Sequence, residues 1–327
     1  MDLPEEEFWF PLGERPEFAK RLILLAQSED LRRSASAIVW NARCIPRRMM
    51  TRLHDPCAES KKWIARFSLR SMTALYVSPL AAAQLTAKEI AAITRSIQQF
   101  QLGEGSKGQR LLDRGKKYGS EVSDPFFVGA LDLFIKEEQQ HSRYLEAFMQ
   151  SHGIPIVGRH WVDSIFRKLR GLAGLELSLA VLVTAEIIAM PYYRALRDAT
   201  GSPTLKNICR RILEDEATHL KYQASMLARL AAKRHRVIDR AIGALRRLFL
   251  LGTTVVVWFG HRAVFQAAGY GFRRFRDEAF FEFDELENCR RALNALRDVR
   301  TARASGLLES WTPSDARILK SGETSAR

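Results

Sequence analysis

The sequence predicts an all-α protein: a four-helix bundle with one long crossover, carrying helical extensions on both sides. Nearly every long segment has helical periodicity, and alternating Val/Ile/Thr-rich strands bounded by turn residues are scarce. Cap and breaker residues bound four long helices whose connections run short, long, short. This divides the chain into an N-terminal helical extension over 1–85, the bundle over 86–235, and apolar and amphipathic helices with a basic tail over 236–327.

In the first segment, Pro16, Pro46, Pro56 and Pro79 mark breaks between several short helices, since proline cannot continue a helix interior. Helix one of the bundle opens at the capping-box pattern Thr86-Ala-Lys-Glu89 and is expected to run to about Tyr118, before Gly119-Ser120. Asp124-Pro125, an N-cap followed by proline, opens helix two, which ends near Gly153. A crossover over about 154–171 leads to helix three at about 172–199, stopped by Gly201. Ser202-Pro203 opens helix four, which fades in the basic stretch Lys233-Arg234-His235-Arg236. An apolar helix over 237–268 and a charged amphipathic helix over 277–303 come next, and the tail from Ser305 reads as loosely ordered.

Composition narrows the function. The 51 Lys+Arg against 37 Asp+Glu give a net charge of +14, an attraction toward acidic partners such as anionic lipid, acidic carrier proteins or nucleic acid. From Arg229 onward there are 19 basic and 11 acidic residues, without the interleaved aromatics of an RNA-binding signature, which argues against nucleic acid. Cys44, Cys57, Cys209 and Cys289 lie far apart with no CxxC pair, excluding a cysteine-based zinc or iron–sulfur site and suiting reduced thiols in the cytoplasm. The acidic start, Met-Asp-Leu-Pro-Glu-Glu-Glu, lacks a secretory pattern. The longest apolar run, Leu248 to Gly260, is interrupted by Gly252, Thr253 and Thr254, so no membrane-spanning helix is expected.

The chemistry lies in four carboxylates and two imidazoles. Of seven histidines, only His141 and His219 have a glutamate three residues earlier, giving Glu138-Gln-Gln-His141 and Glu216-Ala-Thr-His219. Glu and His at that spacing project from one helix face, where each pair could join a further glutamate from a neighbouring helix at one metal site. Register finds the partners. Glu138 lies 14 residues after Asp124, and counting 14 back from Tyr118 gives Glu104; Glu216 lies 14 after Ser202, and 14 back from Thr200 gives Glu186. Glu104 and Glu186 are each lone carboxylates in stretches of apolar or small residues, where an unpaired charge is costly and metal binding relieves it. Gly103 and Gly105 beside Glu104 suggest close approach of another helix or of substrate.

The two halves repeat: Glu137-Glu138-Gln-Gln-His141-Ser-Arg-Tyr144 aligns with Asp215-Glu216-Ala-Thr-His219-Leu-Lys-Tyr222. A ligating histidine needs its other ring nitrogen anchored, so Glu137 and Asp215 are candidates to orient the histidine of the opposite helix. Tyr144 and Tyr222 are candidate donors behind the ligands, although packing is the commoner role for a tyrosine at a helix interface. His261, in an apolar stretch, reads as a core residue.

The order Glu, Glu-x-x-His, Glu, Glu-x-x-His at these spacings resembles the ferritin-like superfamily of di-iron carboxylate proteins, which includes rubrerythrins, ribonucleotide reductase small subunits, di-iron monooxygenases and acyl-carrier-protein desaturases. The resemblance covers about residues 86–235, without the CxxC module of rubrerythrins. It implies a pair of iron ions, with iron–manganese or manganese pairs as alternatives, held by Glu104, Glu138, His141, Glu186, Glu216 and His219. It further implies dioxygen chemistry: a hydroxylase, desaturase or N-oxygenase on a small organic or carrier-bound substrate, supplied by an electron-donor protein. Alternatives are an iron-handling or peroxide-detoxifying protein and, third, an RNA-modifying hydroxylase. A homodimer and a cytoplasmic protein peripheral to the inner membrane are both compatible with the sequence. The apolar run flanked by Arg246-Arg247 and by Arg273, Arg274 and Arg276 is expected to pack on the bundle, Gly252, Gly260, Gly269 and Gly271 suiting close helix contact, rather than to lie in a membrane plane.

Overall fold

The computed structural model of the chain describes residues 56–73, 75, 85–158, 174–232 and 234–304. Among these residues all regular structure is helical, in eight elements. They are α1 (Pro56–Ser71), α2 (Ala87–Glu104), α3 (Gln109–Glu121), α4 (Phe127–Ser151), α5 (Leu175–Asp198), α6 (Pro203–Ala231), α7 (Arg236–Ala267) and α8 (Phe272–Ala304). The described residues up to Glu287 belong to one compact unit, and those from Asn288 belong to a second. The boundaries read from sequence at 85 and 235 both fall inside the larger unit, which holds α1 to α7 and the first half of α8. The expectations for Pro16, Pro46 and Pro79, most of the crossover and the tail beyond Ala304 lie outside the described residues; Pro56 opens α1.

Two helix starts obey their caps. At α2 the Thr86 hydroxyl accepts from Glu89 N at 3.2 Å while Thr86 N donates to the Glu89 carboxylate at 2.8 Å. At α6 the Ser202 hydroxyl accepts from Leu205 N, with Pro203 in the first turn. Asp124 does something broader than cap α4, which begins only at Phe127. Its buried carboxylate accepts from Ser60 at 2.6 Å, Arg229 at 2.8 Å and Phe126 N at 3.2 Å, tying α1 and α6 to the entry of α4.

The expected single helix from Thr86 to about Tyr118 is two helices. α2 stops at Glu104, and α3 restarts at Gln109 after Gly108, which sits at φ +60. A side chain is strained in that left-handed region, and a Cβ there would also meet Ile135 Cδ1 at 2.6 Å. Gly105 packs closely, with Ser142 Oγ 3.1 Å from where its Cβ would be, but nothing lies within 4 Å at Gly103. Close approach is therefore made by one of the two glycines.

α5 and α6 pack along their length, α4 packs on α1, α2, α3 and α6, and α7 lies across α2 and α5. Ile93, Ile97, Leu131, Phe134, Leu145 and Ile187 are fully or nearly fully buried in this core. α7 does pack, through Leu250, Thr254, Val257, Val264 and Phe265. The glycines in and just after it are not the reason: Gly252, Gly260, Gly269 and Gly271 meet nothing within 4 Å. Its flanking arginines pair with α8, Arg246 with Glu287 at 2.8 Å and Arg247 with Asp284.

The opposite face of α7 is open. Val237, Ile238, Leu245, Leu248 and Phe259 are each more than half exposed. By length and composition alone, α5 and α7 are both long and apolar enough to cross a membrane, α5 with 83% of its most apolar window buried and α7 with 33%. The interruptions that argue against such a helix in the sequence do not break α7: Thr253 and Thr254 return their hydroxyls to the carbonyls of Phe249 and Leu250, and the helix runs through them.

Candidate metal centre

Four helices bring the six ligand candidates together. Glu104 ends α2, Glu138 and His141 lie mid-way along α4, Glu186 on α5, and Glu216 and His219 on α6. All are buried except Glu138, which is slightly exposed. Ligand atoms of Glu104, Glu138, His141 and Glu216 lie within 4.8 Å of one another, and so do those of Glu138, Glu186, Glu216 and His219. The two sets share Glu138 and Glu216.

The histidines are aimed from behind. His141 Nε2 lies 3.1 Å from Asp215 Oδ2, and His219 Nε2 lies 2.8 Å from Glu137 Oε2. Each carboxylate thus holds the histidine of the opposite helix, leaving both Nδ1 atoms toward the glutamates. His141 Nδ1 is 3.4 Å from Glu216, and His219 Nδ1 is 2.8 Å from Glu138 and 3.5 Å from Glu186. The outer carboxylates have their own cations. Arg211 donates to Asp215 at 2.9 Å, and Arg70 of α1 pairs with Asp215 and lies 3.4 Å from Glu137. Two arginines balance these two carboxylates, so the four inner glutamates remain to be compensated.

Burial, followed by the charge of Glu138, holds the carboxyls of Glu104 and Glu186 well above the usual range, and burial likewise raises Glu216. Burial pushes His141 down to about 4. For Glu138 and His219 burial is again the largest influence, but their mutual attraction and the other neighbouring charges outweigh it, lowering the acid and raising the base. Four carboxylates in one dry site cannot all ionise without added positive charge. Among the described residues no well-formed hydrogen bond reaches either buried Glu216 oxygen or His141 Nδ1, which is uncommon in a folded interior. Two divalent cations would satisfy these atoms and neutralise the four charges, so the donor set fits a metal pair.

Two sequence candidates take other roles. Tyr144 OH accepts from Leu75 N at 2.7 Å, and Tyr222 packs on Trp63 and Phe67. Among the described residues no hydrogen bond joins either hydroxyl to the six, because both rings turn toward α1 and the segment after it. The donors at the site are Tyr193, whose hydroxyl donates to Glu104 at 2.7 Å, and Gln223, whose amide donates to Glu186 at 3.0 Å. Each was within reach of sequence reasoning, since Tyr193 lies seven residues after Glu186 and Gln223 seven after Glu216, two helical turns on. Arg70 carried no such signal.

The centre forms part of the wall of a cavity of about 1040 Å3, which Glu104, Glu138, Glu186 and Glu216 line together with Phe134 and Ile188. His261 also lines it. That residue is buried with Nδ1 2.7 Å from Ser96 Oγ, as a satisfied core histidine should be, and it stands at a non-helical step in α7.

No family model matches the chain, and no curated protein or solved structure matches it either. The class the centre defines is therefore that of an all-helical protein with a buried Glu/His cluster at metal-binding distances.

Proposed function

We propose that the chain is a ferritin-like, non-haem di-iron oxidoreductase that uses dioxygen to oxidise an organic substrate. The cavity carries this reading. A volume at the upper end of small-molecule pockets, with four candidate metal ligands in its wall, supports a site that admits an organic molecule. A protein that only handles iron or peroxide has no need of that space.

In this reading Glu138 and Glu216, common to both sets, would contribute to holding both ions. Glu104 with His141 and Glu186 with His219 complete the two positions. Asp215 and Glu137 fix which ring nitrogen each histidine presents, and Arg70 and Arg211 pair with those carboxylates from behind. Tyr193 and Gln223 hold the two terminal glutamates by one oxygen each and leave the other oxygen available. When bound, an iron pair supplies the reduction of dioxygen. The apolar walls keep bulk water from the reacting end of the substrate.

The test is anaerobic ferrous loading and then oxygen exposure, watched by absorption and Mössbauer spectroscopy. Two irons per chain and rapid oxygen uptake are expected, both lost in Glu138→Ala while helix content stays near normal. Mineral growth or cage assembly in place of stoichiometric uptake would favour iron handling.

A further inference from the structure

The substrate's chemical class can be read from how the cavity lining sorts with depth. Phe134, Val181, Leu182, Ile188 and Val257 are buried lining residues, whereas Lys107, Gln109, Arg110 and Ile156 are exposed ones. Most of the exposed lining, Ala185 on α5 apart, falls in the stretches 103–110 and 156–158, so the charged end of the opening lies where these two stretches meet. Charge sorts the same way. Apart from the four metal-facing glutamates, the lining holds three cations, Lys107, Arg110 and Arg114, and one carboxylate, Glu146. Arg114 is half-buried and donates to Ser178 Oγ on the cavity wall, and Glu146 accepts from Gln150 at 3.2 Å. A low-dielectric cavity with a rim of one sign concentrates ligands of the other, and Lys and Arg form the strongest hydrogen bonds to carboxylate and phosphate.

We propose that this cavity binds an amphiphile whose apolar chain lies along Val181, Leu182, Ile188 and Val257 and whose carboxylate or phosphate is held at the rim by Lys107 and Arg110. The inference rests on the oxidoreductase reading only for what happens next, because the chain of such a ligand runs past Glu104 and Glu186. Binding itself needs no metal. Small polar substrates and cationic amphiphiles are disfavoured by the same lining.

Isothermal titration of the full metal-free chain with dodecanoate, dodecyl phosphate and dodecylammonium, each below its micelle concentration, tests this. One equivalent of at least one of the anions should bind roughly tenfold or more tighter than the cation, and the tighter anion names the head group. Lys107→Glu with Arg110→Glu, both at exposed positions, should weaken the anion at least about tenfold. Leu182→Trp should block every probe, and Val257→Phe serves the same purpose if the first variant does not fold. Leu248→Ser with Phe259→Ser, on the outer face of α7, should leave binding unchanged and so separates the cavity from that surface. Equal affinity for anion and cation, indifference to the two charge reversals, or loss of binding in the outer-face variant would overturn the proposal. Dodecanoate binding without oxygen uptake on ferrous loading would instead sink the oxidoreductase reading alone. Oxygen uptake by a chain that binds no amphiphile would sink the substrate class alone.

Discussion

Glu104 shows what the centre demands of a single side chain. Its folded carboxyl is raised well above its ordinary value of 4.5, chiefly by burial. The stability it contributes is therefore present below about pH 4.5 and is lost as pH rises through the raised value. His141, depressed to about 4, works the other way and contributes stability above about pH 6.5 that is lost as pH falls toward 4. Glu104→Gln mimics the protonated acid. In the metal-free chain it should add about 1–3 kcal/mol at about pH 8 and much less at about pH 5, measured by thermal melts in chelator; an equal gain at both would contradict the assignment. The residues behind the histidines make a second case. Asp215→Asn and Glu137→Gln should each lower metal affinity by about 10- to 100-fold without unfolding the chain, read by competition with a chelating dye. The pairing of Glu137 and Asp215 with opposite histidines was legible because the two halves repeat in sequence. Arg70 was not legible, because its partners lie on helices beyond the segment it belongs to and no spacing rule connects them.

At the scale of elements, the caps at Thr86 and Ser202 were readable because a hydroxyl and a backbone N–H three residues on make a local contact. The break between α2 and α3 was missed, since glycines within helical periodicity look tolerable until one is found at positive φ. The register count to Glu104 assumed one continuous helix, yet Glu104 still reaches the site as the last residue of α2. The glycines should now behave oppositely. Gly103→Ala, in open space within a helix, should stabilise by about 1 kcal/mol. Gly108→Ala, at positive φ and against Ile135, should destabilise by about 1–3 kcal/mol. Urea denaturation of the two variants measures both, and like signs would contradict the geometry. α7 was legible as an added helix but not in its two-sidedness. Periodicity cannot say which apolar face finds a neighbour, and here one lines a cavity while the other meets solvent.

Across the whole molecule some of the 51 basic residues are taken up by internal pairs such as Arg70 with Asp215 and Arg246 with Glu287, which leave the net charge of +14 unchanged. A count of charges in the sequence cannot separate these from the cations left at the cavity rim. The repeat of the two Glu-x-x-His halves also governs how the centre fills. Two helix pairs related in sequence meet there almost as copies, but the copies have diverged at the ends of their single glutamates: one is gripped by a phenol and closes a helix, the other by an amide within an unbroken one. On the proposed reading of a metal pair, that broken symmetry makes the two seats inequivalent. Manganese titration of the metal-free chain, monitored by electron paramagnetic resonance, should fill the seats in two resolved steps. Tyr193→Phe should displace the step belonging to Glu104 and His141 and leave the other in place.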